Sequence, residues 1–193
     1  MELNTIYNED CLEGMKRIAD KSIDCIICDL PYGTTCNKWD SIIPLDRLWA
    51  QYKRIAKPDA PIVLFSQMPF TAVLAASNLE MLRYEWIWEK DNATGFLNAN
   101  RAPLKIHENI LVFYSKPPMY NPQMRTGFEP YVAKSRTHSD NYGKHDRTTT
   151  ISNGERFPNS ILYFQRDKDK LHPTQKPVNL LRYLIRTYSQ EGG

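Results

Sequence analysis

The stretch Ile23-Asp24-Cys25-Ile26-Ile27-Cys28-Asp29-Leu30-Pro31-Tyr32-Gly33 decides how the rest of the chain is read. Its apolar, largely β-branched run is too short for a helix and is bounded by turn formers, so it predicts a buried parallel strand. Ligands of open α/β sheets bind just beyond the carboxyl ends of such strands. Asp29 and Tyr32 stand at that end, on a turn that Pro31 stiffens and Gly33 releases. An acid in that place either caps a turn or meets a polar ligand.

On the amino-terminal side, residues 3–8 read as a short strand. Asp10 and Glu13 then form a D-x-x-E capping box for a helix whose Leu12, Met15 and Ile18 share a face. Beyond Gly33 runs a polar loop to Ser41, containing Thr34, Thr35, Asn37, Lys38 and Trp39. Pro44 opens a helix with Leu45, Leu48, Trp49, Tyr52 and Ile55 on one side, stopped before Pro58. Ala60 to Ser66 is a second buried strand, and Pro69 to Ser77 a short apolar helix. Tyr84 to Lys90 and Glu108 to Tyr114 alternate with a period of two, and are expected to pair antiparallel at the sheet's edge. This order of elements predicts an α/β protein with a mostly parallel sheet.

A chain of 193 residues fits one domain with a small insert, and a net charge of +3 permits nucleic-acid binding without demanding it. There is neither a run of about 18 apolar residues nor a basic segment followed by an apolar one, so neither a membrane span nor a leader is expected, and a cytoplasmic location is. Cys25 and Cys28 have C-x-x-C spacing, but residues three apart on a strand point to opposite faces and cannot share one ion. Buried free thiols are expected, and no metal site.

From Lys116 the periodic pattern fades. Residues 115–170 hold five prolines, three glycines, seven aromatics, and ten Lys and Arg against six Asp and Glu. Such a segment is either a solvated insertion or one in which cations meet phosphates and aromatic or polar groups meet bases. A helix follows, entered through His172-Pro173-Thr174-Gln175-Lys176-Pro177, with Val178, Leu181, Leu184, Ile185 and Tyr188 as its expected buried stripe. Lys176 beside free helix amides suits a carboxylate, or is simply solvated. His172 reads as a turn hydrogen-bonding group.

Asp29-Leu30-Pro31-Tyr32 resembles the D-P-P-Y signature of the amino-group DNA methyltransferases, which act on adenine N6 or cytosine N4. Leu30 replaces the usual proline. His172 to Pro177 closely resembles the H-P-T-Q-K-P element of the same family. The segments Asn8 to Leu12, Phe65 to Phe70 and Lys105 to Asn109 look like the subgroup whose catalytic tetrapeptide precedes the cofactor glycines. The resemblance implies a Rossmann-like α/β fold binding S-adenosylmethionine, with double-stranded DNA as partner. It implies catalytic roles for Asp29, Leu30, Pro31 and Tyr32, and cofactor contacts at Asp10, Cys11, Asp29, Thr174 and Lys176. By this likeness residues 1–115 are the catalytic core, 116–165 the target-recognition insert and 166–193 the return to the core. The acid at position 29, where cytosine-N4 enzymes often have serine, inclines the reading to adenine N6. No Pro-Cys pair of the cytosine-C5 kind occurs. The subgroup's F-x-G-x-G loop is also missing from the sequence, so a sheet incomplete at its carboxyl-terminal side, weak cofactor binding and self-association as a homodimer are expected. A non-catalytic nucleic-acid-binding fragment is the alternative reading.

Overall fold

The computed structural model describes residues 2–34, 37, 40–135, 138–139, 143–144, 146–169, 171–172 and 174–190. Thr35, Lys38, Trp39, Pro173 and residues 191–193, used in the sequence reading, lie outside them. Chain order is α1 (Cys11–Met15), β1 (Ile26–Asp29), α2 (Leu45–Ile55), β2 (Ile62–Ser66), α3 (Phe70–Ser77), β3 (Leu82–Thr94) and β4 (Lys105–Phe113). Then come β5 (Tyr131–Lys134), β6 (His138–Ser139), β7 (Gly143–Lys144), β8 (Thr149–Ser152), β9 (Ile161–Tyr163) and α4 (Val178–Tyr188). Residues 1–121 with 160–193 form one compact unit and 122–159 another.

The first unit is built on a five-stranded sheet of order β1-β2-β4-β3-β9. Strands β1 and β2 run parallel, as do β3 and β9, and β4 is antiparallel to both of its neighbours. The β3–β4 pair is antiparallel as expected but is not at the edge. The three-residue β9, which carries too short a pattern to be read from sequence, covers the outer side of β3. Residues 3–8 form no strand; Leu3 and Ile6 are exposed, so nothing buries their alternation.

Strand β2 is buried throughout because both faces of the sheet are covered. Ile62 and Leu64 pack with Leu48, Trp49, Leu74 and Phe113 on the side of α1, α2 and α3. Val63 and Phe65 pack with Trp86, Ile110, Leu180 and Leu184 on the side of α4. The strand period also separates the cysteines: Cys28 joins the first cluster and Cys25 the second. Burial pushes the Cys25 thiol up to about 11 and raises Cys28 as well, so both remain protonated and poorly nucleophilic.

Helix α4 is turned relative to the expected stripe. Leu180, Leu184, Thr187 and Tyr188 are buried, whereas Val178 and Ile185 are half exposed. The Tyr188 hydroxyl fixes this rotation by accepting from Trp86 Nε1 at 2.7 Å and bonding the Tyr84 hydroxyl at 2.8 Å.

The second unit is not irregular throughout. Strands β5 and β8 form an antiparallel ladder, and β6 pairs with β7. The Arg156 guanidinium lies 4.4 Å from the Tyr131 ring centre and 5.3 Å from that of Phe128. Gly154 is required there: its φ is +94°, and an added Cβ would stand 2.7 Å from the Phe128 carbonyl oxygen.

Leu184→Ala should cost about 2–5 kcal/mol in urea unfolding, because the side chain leaves a cavity among large neighbours. Val178→Ala on the opposite side should stay within about 0.5 kcal/mol. Equal effects would contradict the observed rotation.

Candidate active site

Asp29 closes β1, and the register places it level with Phe65 on β2, which in turn pairs with Ile110 on β4. Glu108 lies two residues further along β4, opposite Trp88 of β3. The sheet therefore brings two carboxylates from distant parts of the chain to one end. Leu30 turns its side chain into the core, and Pro31 and Tyr32 are half buried.

Tyr32 returns over the strand end. Its hydroxyl donates to Asp29 Oδ1 at 2.9 Å and reaches Glu108 Oε2 at 3.4 Å, while its ring stacks on Phe70 at 5.7 Å. Burial first, then the charges of Asp29 and Glu108, raise the pKa of this phenol well above its ordinary value of 10.0. It therefore keeps its proton and acts as a donor.

Two ammonium groups complete the cluster. Lys176 Nζ lies 2.9 Å from Asp29 Oδ1 and 3.2 Å from Glu108 Oε2, and sits 5.5 Å from the Tyr32 ring centre. Lys90 Nζ meets the other Glu108 oxygen at 2.5 Å. Side-chain exposure is 8% for Lys90 and 10% for Glu108 and Lys176, but 39% for Asp29. The cluster thus balances two negative against two positive charges and opens to solvent at Asp29. Burial pushes the Glu108 carboxyl up, but Lys176 and Lys90 together outweigh it and hold it below 4.5.

The turn after Tyr32 has its own anchor. Buried Asp40 accepts the backbone N–H groups of Tyr32 (2.8 Å) and Gly33 (2.9 Å) on Oδ1 and that of Thr34 (2.9 Å) on Oδ2. Gly33 has a φ of +66° and no room for a Cβ against Ile42.

The remaining positions singled out from sequence make hydrogen bonds outside this cluster. Asp10 caps α1, accepting from Leu12 N at 2.8 Å and Glu13 N at 3.2 Å. Glu13 pairs with Lys16 at 2.6 Å. Cys11 is exposed. Thr174 bonds His172 Nδ1 at 3.0 Å, the turn role expected of that histidine. Among the described residues, no hydrogen bond or ion pair joins Asp10, Cys11 or Thr174 to Asp29. Lys176 serves Asp29 and Glu108, whereas the first α4 amide, on Val178, is taken by Asp167 Oδ2 at 3.0 Å.

The sequence reading gives Lys90 and Asp40 no role in a site, and Glu108 figures in it only as the start of a strand and within a flanking motif. The available signal was Glu108 itself, the acid before the apolar run of a strand that buries every residue from 108 to 113. A buried strand acid requires a cation.

The same α/β fold recurs in the M1.HpyAVI–SAM complex, 20% identical, with a TM-score of 0.57 over 95% of this chain and 76% of that one. Two curated relatives align along nearly the whole sequence. The type II methyltransferase M1.MboII of Moraxella bovis is 27% identical over 98% of this chain and 80% of its own length. The DNA adenine methyltransferase YhdJ of Escherichia coli is 24% identical over 99% of this chain and 69% of its own length. The solved structure shares the fold, and both relatives are described as methyltransferases. Residues 23–193 match the N6/N4 methyltransferase family model described as DNA methylase, and the chain belongs to that family.

Asp40→Asn sets an amide N–H₂ against at least one of three backbone N–H groups, and should cost about 1–3 kcal/mol in urea unfolding. Glu108 gives a pH-dependent prediction. Its folded pKa is depressed, so its stabilising contribution is complete above 4.5 and is lost as the pH falls below that value. Glu108→Gln should flatten this part of the stability–pH curve, and an unchanged acid limb would contradict the assignment.

Proposed function

We propose that this chain transfers a methyl group from S-adenosylmethionine to the exocyclic amine of a base in double-stranded DNA, at adenine N6. The observation that carries the reading is the pairing of Asp29 with Tyr32 at the open end of the sheet, in a chain of the DNA methylase family. A base amine is hidden in the duplex, so the target nucleotide must be flipped out at a cost of a few kcal/mol. Stacking on Tyr32 offsets roughly 1–3 kcal/mol of that cost.

Asp29 accepts one amine hydrogen and the Leu30 carbonyl the other, which favours a pyramidal nitrogen with an available lone pair. S-adenosylmethionine supplies the methyl group on a sulfonium, an electrophile for in-line attack. Asp29 fits a partner of this chemistry because its carboxylate is the exposed member of the cluster, open to a cation or a hydrogen-bond donor. Asp10, Cys11, Thr174 and Lys176 are the further positions that the family resemblance assigns to the donor. The work of the protein is to hold the amine in line. The preference for adenine rests on the acid at position 29 and on the adenine methyltransferase among the relatives.

Incubation with tritiated S-adenosylmethionine and unmethylated duplex DNA, followed by nucleoside analysis, should place label in N6-methyldeoxyadenosine. Asp29→Ala should abolish transfer. Label in N4-methyldeoxycytidine would reassign the base; label in 5-methyldeoxycytidine or in protein alone would overturn the reading. Steeply salt-dependent DNA binding without any transfer would favour a non-catalytic nucleic-acid-binding role.

A further inference from the structure

The sheet does not end at the level of its carboxylates. Strands β3 and β4 continue past Glu108, through the pairs Glu89 with His107 and Thr94 with Lys105. Lys105, Ile106 and His107 together amount to about 10 Å of strand. The hairpin therefore projects from the same end of the sheet on which Asp29 and Tyr32 stand. Its base is tied to the site: Lys105 Nζ donates to the Met68 carbonyl at 3.4 Å, two residues before the Phe70 ring on which Tyr32 stacks.

The projection ends in a built turn. Gly95 takes a φ of +89°, and a 3₁₀ turn over Phe96–Asn98 follows. Asn98 N and Ala99 N close it on the Gly95 and Phe96 carbonyls at 3.0 and 3.1 Å, and Arg101 N and Ala102 N donate to the Asn98 carbonyl. This hydrogen-bonded turn presents two large apolar side chains to solvent, Phe96 at 76% exposure and Leu97 at 85%. Lone exposed apolar groups are ordinary, but an adjacent pair at the tip of a projection is a contact surface. The charge around the pair selects the partner. From Asn92 to His107 the chain carries Arg101 and Lys105, both exposed, and no Asp or Glu. Cations flanking an apolar tip suit a polyanion with an apolar interior, which is what a stacked nucleic-acid duplex is.

We propose that Phe96 and Leu97 are positioning residues for base extrusion, entering the duplex beside the target nucleotide and filling the gap that its base leaves. Arg101 and Lys105 meet the adjoining phosphates. This rests on the reading given under Proposed function. A projection of about 10 Å suffices for grooves about 7.5–8.5 Å deep. Extrusion leaves the neighbouring bases unstacked, and an apolar side chain set between them offsets part of that loss. No covalent bond is made or broken in this step.

The test uses the full chain and two duplex oligonucleotides carrying the sequence that the unaltered chain modifies. In one the target base faces its complement, and in the other an abasic sugar, from which it is extruded more cheaply. Phe96→Ala combined with Leu97→Ala should lower kcat/KM about 10- to 100-fold on the paired duplex and at most about threefold on the abasic one, with the KM for S-adenosylmethionine unchanged. Phe96→Leu, which keeps an apolar filler, should stay within about threefold on both. Should the double variant fail to fold, Phe96→Ala alone takes its place with the same order expected. Equal losses on the two duplexes would make the tip a plain DNA contact and overturn the inference, as would no loss on either. A variant that transfers normally but loses a dimer in light scattering would give the tip to a second copy of the chain, and overturn it too. These outcomes leave the methyltransferase reading intact. Absence of amine methylation by the unaltered chain would overturn that reading and this inference with it.

Discussion

A carboxylate taken nine-tenths out of water must be matched by positive charge, and Glu108 is matched twice. Lys90 reaches it from the neighbouring strand and Lys176 from the turn before α4. Breaking such a buried pair by removing one partner costs about 3–5 kcal/mol, because a bare charge is left behind. The turn that delivers Lys176 is thereby tied to the middle of the sheet, and through Lys176 to the end of β1. Elements separated by most of the chain's length meet at one point because the buried Glu108, Lys90 and Lys176 each need an opposite charge.

The sheet makes this meeting possible. Its two faces carry separate apolar clusters, and Tyr32 packs against both. That residue lies just past the end of β1, where the strand runs out and the two layers close toward each other. The antiparallel β4 then brings Glu108 to this end of the sheet, level with the residues that follow Phe65 on β2. Asp40 holds the intervening turn through three backbone bonds, so the Tyr32 backbone has little freedom. A backbone held rigid beneath side chains that are themselves locked by packing and ion pairs is what a positioning site requires.

Much of this was legible in sequence wherever an apolar period was long or a turn residue was unambiguous. Helix α2 follows its expected face of Leu48, Trp49, Tyr52 and Ile55, and β2 follows its continuous apolar run. The opposite placement of Cys25 and Cys28 follows from the strand period alone. The expected stripe of helix α4 holds at Leu184 and Tyr188 and fails at Val178 and Ile185, which are as apolar as Leu180. What decides between them is the Tyr188 hydroxyl finding Trp86 and Tyr84, a tertiary fact. Strand β9 is three residues long and acquires its identity only by pairing with β3. The site was half legible: Asp29, Tyr32 and Lys176 announce themselves by motif. Lys90, a residue of ordinary strand spacing, becomes informative only once the pairing of β3 with β4 sets it beside Glu108.

The departure at position 30 has a physical explanation in this fold. The Leu30 side chain is 5% exposed and packs in the cluster beneath α2 and α3. A branched apolar residue there contributes burial that a proline ring would provide in another shape. Its carbonyl belongs to the main chain and survives any change of side chain. A hydrogen-bonding role for that carbonyl and a packing role for that side chain are therefore independent demands on one residue. Only the packing demand constrains its identity. The acid at position 29 is in the opposite situation, since its side chain alone supplies the charge that Tyr32 and Lys176 share. Variation in the tetrapeptide is thus expected at the second position before the first.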